Sequence, residues 1–258
     1  MVLIANLAEA FEASVITSSS ASLTVAVRVL RADGAIAPYT LLIEATGRTV
    51  KARESAPDRL PGACPNRHIN LNGTFCTHWD TVHPLEIVDV ESADRWWKQL
   101  LAYLRLQERA AYLRRWPGRA EWAHGDAAKH QWRVEVCASA LNDDFYEAAK
   151  AGRLKIKQSK NAPNFLAVMD GKRRLYSVWK KERRVATLRQ RCFCGSALAL
   201  KSCANHADLG AELAFELLKW DKEEQRFWDS LRGQKCCGSL DNCPLADIRA
   251  SSVTALQR

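Results

Sequence analysis

The chain of 258 residues is long enough for one large domain or two smaller ones, each with a buried core. Hydrophobic residues make up 47% and charged residues 26%, which excludes an intrinsically disordered chain. No apolar run approaches the ~20 residues that a membrane-spanning helix needs, and residues 1–14 lack the basic start and apolar core of a secretion signal. We therefore expect a cytoplasmic protein without membrane contacts.

The net charge of +9 is concentrated in one segment. Residues 151–191 contain thirteen lysines and arginines against two acidic residues, so this segment carries +11 and the remainder of the chain carries −2. A compact basic segment favours an acidic partner, either a nucleic acid or an acidic protein surface. The alternative is a solvated basic hairpin that has no partner.

Strands dominate the predicted structure near the N-terminus, and a long helix follows them. β-Branched residues, partial alternation and turn signals predict three strands. They cover residues 22–30, 38–45 and 49–53. Prolines and a glycine break residues 55–67 into a predicted irregular loop. Helical spacing of apolar residues then predicts a helix from Ser92, its expected N-cap, to Arg115.

The second half of the chain is predicted to contain three further helices and a hairpin. Asn142 is a good N-cap, and the two aspartates after it favour the positive end of a helix. Asp170-Gly171 favours the tight turn that matches the twist of two antiparallel strands. The predicted helices cover residues 119–132, 142–151 and 208–232, and the predicted hairpin covers residues 165–179.

The nine cysteines are unevenly distributed, because six of them fall in the last quarter of the chain. In a reducing compartment, such clustering indicates metal ligation rather than disulfides. Cys64, Cys76 and Cys137 stand apart from the cluster. Cys137 lies in an apolar stretch and is predicted to be a core residue.

The stretch from Cys64 onwards reads CPNRHINLNGTFCTHWD and lies between the predicted strands and the long helix. It resembles the ubiquitin-conjugating enzyme family, in which a His-Pro-Asn loop and an Asn-Gly turn precede the active cysteine. His68-Ile69-Asn70 stands where His-Pro-Asn would be, and the segment from Asn72 to Cys76 matches the end of the pattern. Ile69 replaces the proline, and the interval from histidine to cysteine is shorter than in the eukaryotic pattern. The match is closest to the prokaryotic branch, which serves ubiquitin-like modification systems beside anti-phage defence genes.

A cysteine thiolate is both a good nucleophile and a good leaving group, so it can carry an acyl group as a thioester. The resemblance implies that Cys76 is this nucleophile, that Asn70 donates a hydrogen bond to the developing oxyanion and that His68 holds the loop. The shorter interval leaves Asn72 as an alternative donor. A buried structural thiol is the alternative for Cys76. Three residues are candidates for the base that deprotonates an incoming amine: His78, Asp80 and His83.

A second pattern of chemistry-bearing residues lies near residue 200. Cys192, Cys194, Cys203 and His206 provide three thiolates and an imidazole, which is a natural tetrahedral zinc set. The pattern is similar to the SEC-C zinc motif, although Ala-Leu-Ala replaces its usual Gly-Lys-Lys and the last ligand comes slightly later. Because no open coordination position is evident, we expect a structural zinc.

Three more thiols follow at Cys236, Cys237 and Cys243. Two interpretations fit them. They either form a second metal site with a distant fourth ligand or replace His206 in the first site.

Together these patterns predict an α+β fold with three segments. Residues 1–140 form a ubiquitin-conjugating-like antiparallel meander flanked by helices, residues 141–191 form a basic helix-and-hairpin connector, and residues 192–258 form a small cysteine-rich helical domain stabilised by zinc. The resemblance implies acyl transfer, in which an activating enzyme passes the C-terminus of a ubiquitin-like protein to Cys76 and then a target protein accepts it on an amine. The alternatives are a non-catalytic zinc module that binds nucleic acid through residues 151–191 and a scaffold for protein partners.

Overall fold

A computed structural model describes residues 1–79, 82, 84–117, 123–159, 161–187, 189–241 and 243–246. The chain divides into two compact units, one of Met1–Gly118 with Leu231–Arg258 and one of Arg119–Ser230. Within the second unit, the helix over 127–141 packs on the helix over 207–230. The predicted boundaries after residues 140 and 191 stay predictions. Among the described residues, no helix has the length and apolar character needed to cross a membrane.

The first unit is built on a four-stranded antiparallel sheet whose strands pair in chain order. Its strands are β1 (Ala13–Ser18), β2 (Ser22–Leu30), β3 (Ile36–Thr46) and β4 (Thr49–Glu54). The three predicted strands are confirmed as β2 to β4, in which alternate side chains are buried. β1 was not predicted, because it is an edge strand and only its first residue is buried.

Helices complete the core of the first unit. They are α1 (Val2–Leu7), a 3₁₀-helix at Glu9–Phe11 and α2 (Val90–Leu113). Trp97 of α2 is fully buried, and its Nε1 donates a hydrogen bond of 3.0 Å to the carbonyl oxygen of Ile4. Its ring also stacks on Phe11 with centroids 5.8 Å apart. The long predicted helix is therefore confirmed and packs directly on the N-terminal segment.

The predicted N-cap of α2 is wrong by one turn. Asp89 is the cap, and its carboxylate accepts the backbone N–H of Ser92 at 2.7 Å. The Ser92 hydroxyl in turn accepts the backbone N–H of Asp89 at 3.0 Å, which completes a capping box. Ser92 resembles a cap in the sequence because it is the third helical residue of this box, where its side chain serves the cap residue.

The second unit packs three helices with a second four-stranded antiparallel sheet. Its elements are α3 (Ala127–Leu141), α4 (Asp143–Lys150), β5 (Leu154–Ser159), β6 (Ala162–Asp170), β7 (Arg173–Trp179), β8 (Arg184–Val185) and α5 (Ala207–Ser230). The hairpin, α4 with Asn142 as its N-cap, and α5 are confirmed. The helix predicted over 119–132 is confirmed over residues 127–132 only, because α3 starts after Gly125, whose φ is +53°. Residues 119–122 lie outside the described part of the chain.

The core of the second unit lies between α3, α5 and the sheet. Val134 and Cys137 of α3 and Leu213 of α5 are fully buried in the same cluster. Tyr176 of β7 is also buried, and its hydroxyl donates a hydrogen bond of 2.8 Å to the carbonyl oxygen of Gly210. The prediction that Cys137 is a core residue is confirmed.

Candidate functional site

The cysteine loop, residues 64–79, follows β4 and folds back on itself through two short antiparallel bridges. Cys64 and Ile69 exchange two backbone hydrogen bonds of 3.0 Å around a 3₁₀-helix at Pro65–Arg67. Ile69 also forms a bridge with Phe75, whose backbone N–H donates to the carbonyl oxygen of Ala52 in β4 at 2.8 Å. The buried Ile69 and Phe75 side chains therefore attach the loop to the core of the first unit.

Cys76 lies at the end of this loop and is half-buried. Its backbone N–H donates to the carbonyl oxygen of His68 at 2.8 Å, and its thiol lies 3.8 Å from the carbonyl oxygen of His78. The residue before it, Phe75, is 5% exposed and packs on the ring of Tyr103 with centroids 5.0 Å apart. Burial of Phe75 and partial exposure of Cys76 place Cys76 at the surface of the core.

His68 is the C-cap residue of the 3₁₀-helix, and its ring packs against an aromatic side chain. Its φ of +54° places it in the left-handed region at the end of the 3₁₀-helix, and it is only 6% exposed. The imidazole packs edge-on against Trp116 with centroids 4.9 Å apart. The predicted holding role of His68 stays a prediction, and a buried ring in this position is compatible with it.

Asn70 and Asn72 flank the same turn and share Thr74 as a partner. The Asn70 amide donates to the Thr74 hydroxyl at 2.9 Å. The side-chain oxygen of Asn72 accepts the Thr74 backbone N–H at 3.1 Å and its hydroxyl at 2.7 Å. Both amides are thus positioned by one threonine. The catalytic roles of Cys76, Asn70, His68 and Asn72, which all belong to the cysteine loop, stay predictions.

Gly73 is required at the tip of this turn for two reasons. Its φ is +82°, which L side chains rarely adopt. A Cβ atom there would also come within 3.3 Å of the carbonyl oxygen of Gly62. A groove lies beside the tip, and its lining includes Arg53, Pro57, Leu71 and Asn72.

Two buried polar residues of α2 support the cysteine loop, and the sequence analysis missed both. The Tyr103 hydroxyl donates to the carbonyl oxygens of Arg67 and His68 at 3.2 and 3.0 Å. The Gln107 amide donates to the Arg67 carbonyl oxygen at 2.6 Å, and its side-chain oxygen accepts from Arg67 Nε at 2.8 Å. Burial raises the pKa of Tyr103 well above its ordinary value, so its hydroxyl remains a neutral donor. The sequence signal for Gln107 was its position on the same face of α2 as the buried Leu100 and Leu104, where a polar residue needs a partner.

The structure describes one of the three candidates for the base that deprotonates the amine. Of the three candidates, Asp80 and His83 lie outside the described residues. His78 is described, and its Nδ1 lies 3.0 Å from the hydroxyl of Thr77.

A candidate metal centre lies in the second unit. Cys192, Cys194, Cys203 and His206 bring their ligand atoms within 4.8 Å of one another, as the sequence predicted. His206 Nδ1 is 3.3 Å from both the Cys192 and the Cys203 sulfur. Two ligands of one tetrahedral zinc lie about 3.5 Å apart, so three thiols and an imidazole at these distances fit such an ion.

Local backbone structure explains how these four ligands meet. Cys192 and Cys194 lie on a loop closed by the bridge between Arg191 and Ala199. Cys203 ends a 3₁₀-helix at Leu200–Ser202, and its carbonyl oxygen accepts the N–H of Ala207, the first residue of α5, at 2.9 Å. The loop and the turn just before α5 therefore each supply two ligands.

The electrostatics of the cluster favour thiolates at two positions. Hydrogen bonds from the Ser196 side chain and backbone lower the pKa of the Cys194 thiol to about 6. The imidazole of His206 lowers the pKa of Cys203, and Cys203 raises that of His206. Burial instead raises the pKa of Cys192 to about 11. A divalent cation would compensate the charge that this set gains when all its thiols ionise.

The order of an antiparallel meander, a cysteine loop and a following helix defines the first unit as a ubiquitin-conjugating-like domain. Comparison with protein families agrees, because residues 11–118 match the family described as the prokaryotic E2 domain. Residues 123–245 match the family described as a cysteine-rich domain, C-terminal to the E2 domain. The chain thus contains a prokaryotic E2 domain followed by this cysteine-rich domain, and the resemblance is confirmed. Comparisons with curated proteins and with solved structures gave no match.

Proposed function

We propose that the protein is an acyltransferase that carries a ubiquitin-like protein as a thioester on Cys76. The observation that supports this most directly is the half-buried Cys76 thiol at the end of a loop held to the core by Phe75. The thiolate attacks the thioester carbonyl carbon of the ubiquitin-like C-terminus on an activating enzyme. A new sulfur–carbon bond forms, and the thiolate of the activating enzyme leaves.

The second step transfers the acyl group to a target protein. A neutral target lysine amine attacks the Cys76 thioester, the amide bond forms and the Cys76 thiolate leaves. The amine loses its proton to a base, and an asparagine amide stabilises the oxyanion that forms in between. In this proposal Asn70 is the donor, Asn72 is the alternative, and the groove beside Asn72 accommodates the extended C-terminal tail of the ubiquitin-like protein.

The cysteine-rich unit has a structural role in this proposal. Zinc is the metal we propose for Cys192, Cys194, Cys203 and His206, because three thiolates and an imidazole are a preferred zinc set. Four protein ligands leave no open position for chemistry, so the ion stabilises the unit. We also propose an anti-phage modification system as the biological setting, on the strength of the resemblance to the prokaryotic branch.

A loading assay tests the transferase proposal. The protein is incubated with its ubiquitin-like partner, the activating enzyme and ATP, and the products are separated with and without thiol. We expect a thiol-sensitive adduct in the wild type and none in Cys76→Ala. Cys76→Ser should form an adduct that resists thiol but not mild alkali, because an oxygen ester replaces the thioester.

The control for this assay is Cys137→Ala, which removes a buried thiol of the second unit and should leave loading intact. A wild-type protein that forms no adduct would contradict the proposal. So would an adduct that persists in Cys76→Ala.

Nucleic-acid binding is a second candidate function, favoured by the second sheet. Its strands and turns expose many cations, among them Lys155, Lys157, Arg173, Arg174 and Arg184. Such a surface suits a polyphosphate backbone. An assay with the Cys76→Ala variant separates the two candidates, because nucleic-acid binding does not need the thiol.

A further inference from the structure

The second sheet has one face in the core of its unit and a second face outside that core. Leu166 and Val168 of β6 and Val178 of β7 are fully buried in the cluster that α3 and α5 share. Successive side chains of a strand point to opposite faces, so Phe165 and Trp179, which are next to these core residues, belong to the second face. Both are only partly buried. We name this second face the outer face.

An aromatic pair lies on the two central strands of the outer face. Phe165 of β6 and Trp179 of β7 are directly opposite each other, and their ring centroids are 3.9 Å apart with 38° between the planes. Trp179 is also opposite Arg184 of the neighbouring strand β8. The two rings therefore form one continuous aromatic surface with a cation at its side.

Small and basic residues occupy the next positions of the outer face. Ala167 and Ser177 are opposite each other on β6 and β7, one strand repeat (about 7 Å) from the aromatic pair. Lys157 of β5 is opposite Ala167, and Lys155 takes the next position of β5 on the same face. Because alanine and serine side chains are short, the two aromatic rings project beyond them.

Cations flank the aromatic pair on both edges of the sheet. Lys155 and Lys157 lie on β5 and Arg184 lies on β8, which are the two edge strands, and all three are exposed. None of these three forms a salt bridge with another described residue, in contrast to Arg153, which binds Asp170 at 3.0 Å. The charge of the outer face therefore favours an anionic ligand.

Exposed aromatic rings and unpaired cations together match the two repeating groups of a nucleic acid. A base stacks on an aromatic ring through its π-face, and a phosphate binds a lysine or an arginine. In a duplex each base is already stacked between its neighbours, whereas the bases of a single strand can stack on protein rings. An acidic protein surface would use the cations but would leave the aromatic pair without a counterpart. A single strand is therefore the ligand that uses both features.

We propose that the outer face binds single-stranded nucleic acid. Bases stack on Phe165 and Trp179, and the phosphates beside them bind Lys157 and Arg184. Because every base has a π-face, binding should depend little on base sequence. The inference rests on the second candidate function, nucleic-acid binding, and specifies its ligand. It is independent of the loading of Cys76.

Fluorescence anisotropy with the full chain tests this inference. The probes are an oligothymidine DNA, an oligouridine RNA and a DNA duplex of the same length. The wild type should bind at least one single strand more tightly than the duplex, although the duplex carries twice as many phosphates, because duplex bases cannot stack on the aromatic pair. The tighter of the two single strands identifies the sugar that the face prefers. This comparison needs no variant that could misfold.

Variants of the aromatic pair test the stacking itself. Trp179→Ala should weaken binding of the single strand at least about fivefold, because one stacked base is lost, and should affect the duplex much less. Trp179→Phe keeps an aromatic ring and should bind nearly as tightly as the wild type, which separates lost stacking from misfolding. Tyr112→Ala is the control, because it removes a ring of the first unit that is 82% exposed.

Two results would overturn the inference. If the wild type binds the duplex at least as tightly as both single strands and Trp179→Ala weakens neither complex, the sheet uses charge alone, and nucleic-acid binding itself still stands. A wild type that binds none of the three probes, whether or not it binds an acidic protein, would overturn both the inference and the second candidate function.

Discussion

The cysteine loop depends on buried polar side chains as well as on its own turns. Tyr103 donates to two consecutive carbonyl oxygens, those of Arg67 and His68, and the His68 carbonyl oxygen also accepts the N–H of Cys76. The Tyr103 hydroxyl and the Cys76 N–H therefore share the His68 carbonyl oxygen as their acceptor, which connects α2 to the backbone of the candidate nucleophile. Residues of this kind position a site without touching the substrate.

Replacing Tyr103 by phenylalanine should loosen the cysteine loop. The change keeps the ring that packs on Phe75 but leaves the two buried carbonyl oxygens with one donor fewer. Such a loss costs about 1 kcal/mol, which corresponds to roughly fivefold faster amide exchange in residues 64–76 if they open locally. Hydrogen–deuterium exchange with peptide resolution measures this. Tyr112→Phe is the matched control, because Tyr112 lies on the same helix and is 82% exposed. Equal exchange in both variants would contradict the supporting role of Tyr103.

The two asparagines can be told apart by their effect on acyl transfer. If Asn70 donates to the oxyanion, Asn70→Ala should slow transfer from Cys76 to free lysine about 100-fold, because one donor of this kind is lost. Asn72→Ala should slow it much less. Thr74→Val is the control, because it removes the hydroxyl that both asparagines bind and keeps both amides. Single-turnover discharge of preformed thioester measures the rate, and the reverse order of effects would assign the role to Asn72.

At the scale of elements, the sequence predicted the strands, helices and turns that have a periodic apolar face or a strong local signal. β2 to β4 alternate, α2 carries a buried stripe, and Asp170-Gly171 sets the turn between β6 and β7. β1, β5 and β8 were missed, because an edge strand such as β1 buries one residue and β8 is two residues long. These strands form by pairing with a neighbour, and such pairing leaves little trace in local sequence.

The candidate site was predictable to a similar extent. The four ligands near residue 200 and the cysteine loop are local patterns, and the structure brings each together. Tyr103 and Gln107 could not be assigned to the loop from sequence, because they meet it only through the packing of α2.

The contacts of Glu216 on α5, one to His130 of α3 and one to Lys219 of α5 itself, should make the second unit sensitive to acid. Glu216 of α5 lies 2.6 Å from His130 Nδ1 and 2.6 Å from Lys219 Nζ. Burial would raise the pKa of Glu216, but hydrogen bonds from Lys219 and His130 outweigh it and hold this pKa below its ordinary value. A carboxylate with a lowered pKa on folding contributes stability that is present above its unfolded pKa and is lost as the pH falls through the folded pKa.

We therefore expect the melting temperature of the wild type to fall below about pH 4.5 partly because Glu216 becomes protonated. Glu216→Gln should be less stable than the wild type at pH 7 and should converge with it in acid, since its side chain does not titrate. Differential scanning calorimetry from pH 7 to pH 3.5 measures this difference. Glu147→Gln, on the exposed face of α4, is the control and should parallel the wild type. A constant gap between Glu216→Gln and the wild type at every pH would contradict the linkage.

The whole molecule combines a ubiquitin-conjugating-like domain with a strongly basic cysteine-rich domain. Residues 151–191 carry +11 of charge and form the second sheet and the loop after it, whereas the remaining residues together carry −2. Part of this charge is neutralised within the unit, for example where Arg153 binds Asp170 at 3.0 Å. Most of it faces solvent and is available to attract an acidic partner over several ångströms.

If the basic sheet recruits a partner, binding should depend steeply on ionic strength. Lys155→Glu/Lys157→Glu reverses two exposed charges of β5 and should weaken binding at 50 mM salt by at least about tenfold, with a smaller effect at 300 mM. The control Arg28→Glu/Lys98→Glu makes the same charge change on the first unit and should alter binding much less. Fluorescence anisotropy with a short DNA duplex, and separately with the ubiquitin-like partner, identifies the ligand. For DNA, the log–log slope should be about −0.9 for each phosphate that is neutralised. Equal losses in the two double variants would show that net charge, rather than the basic sheet, governs the association.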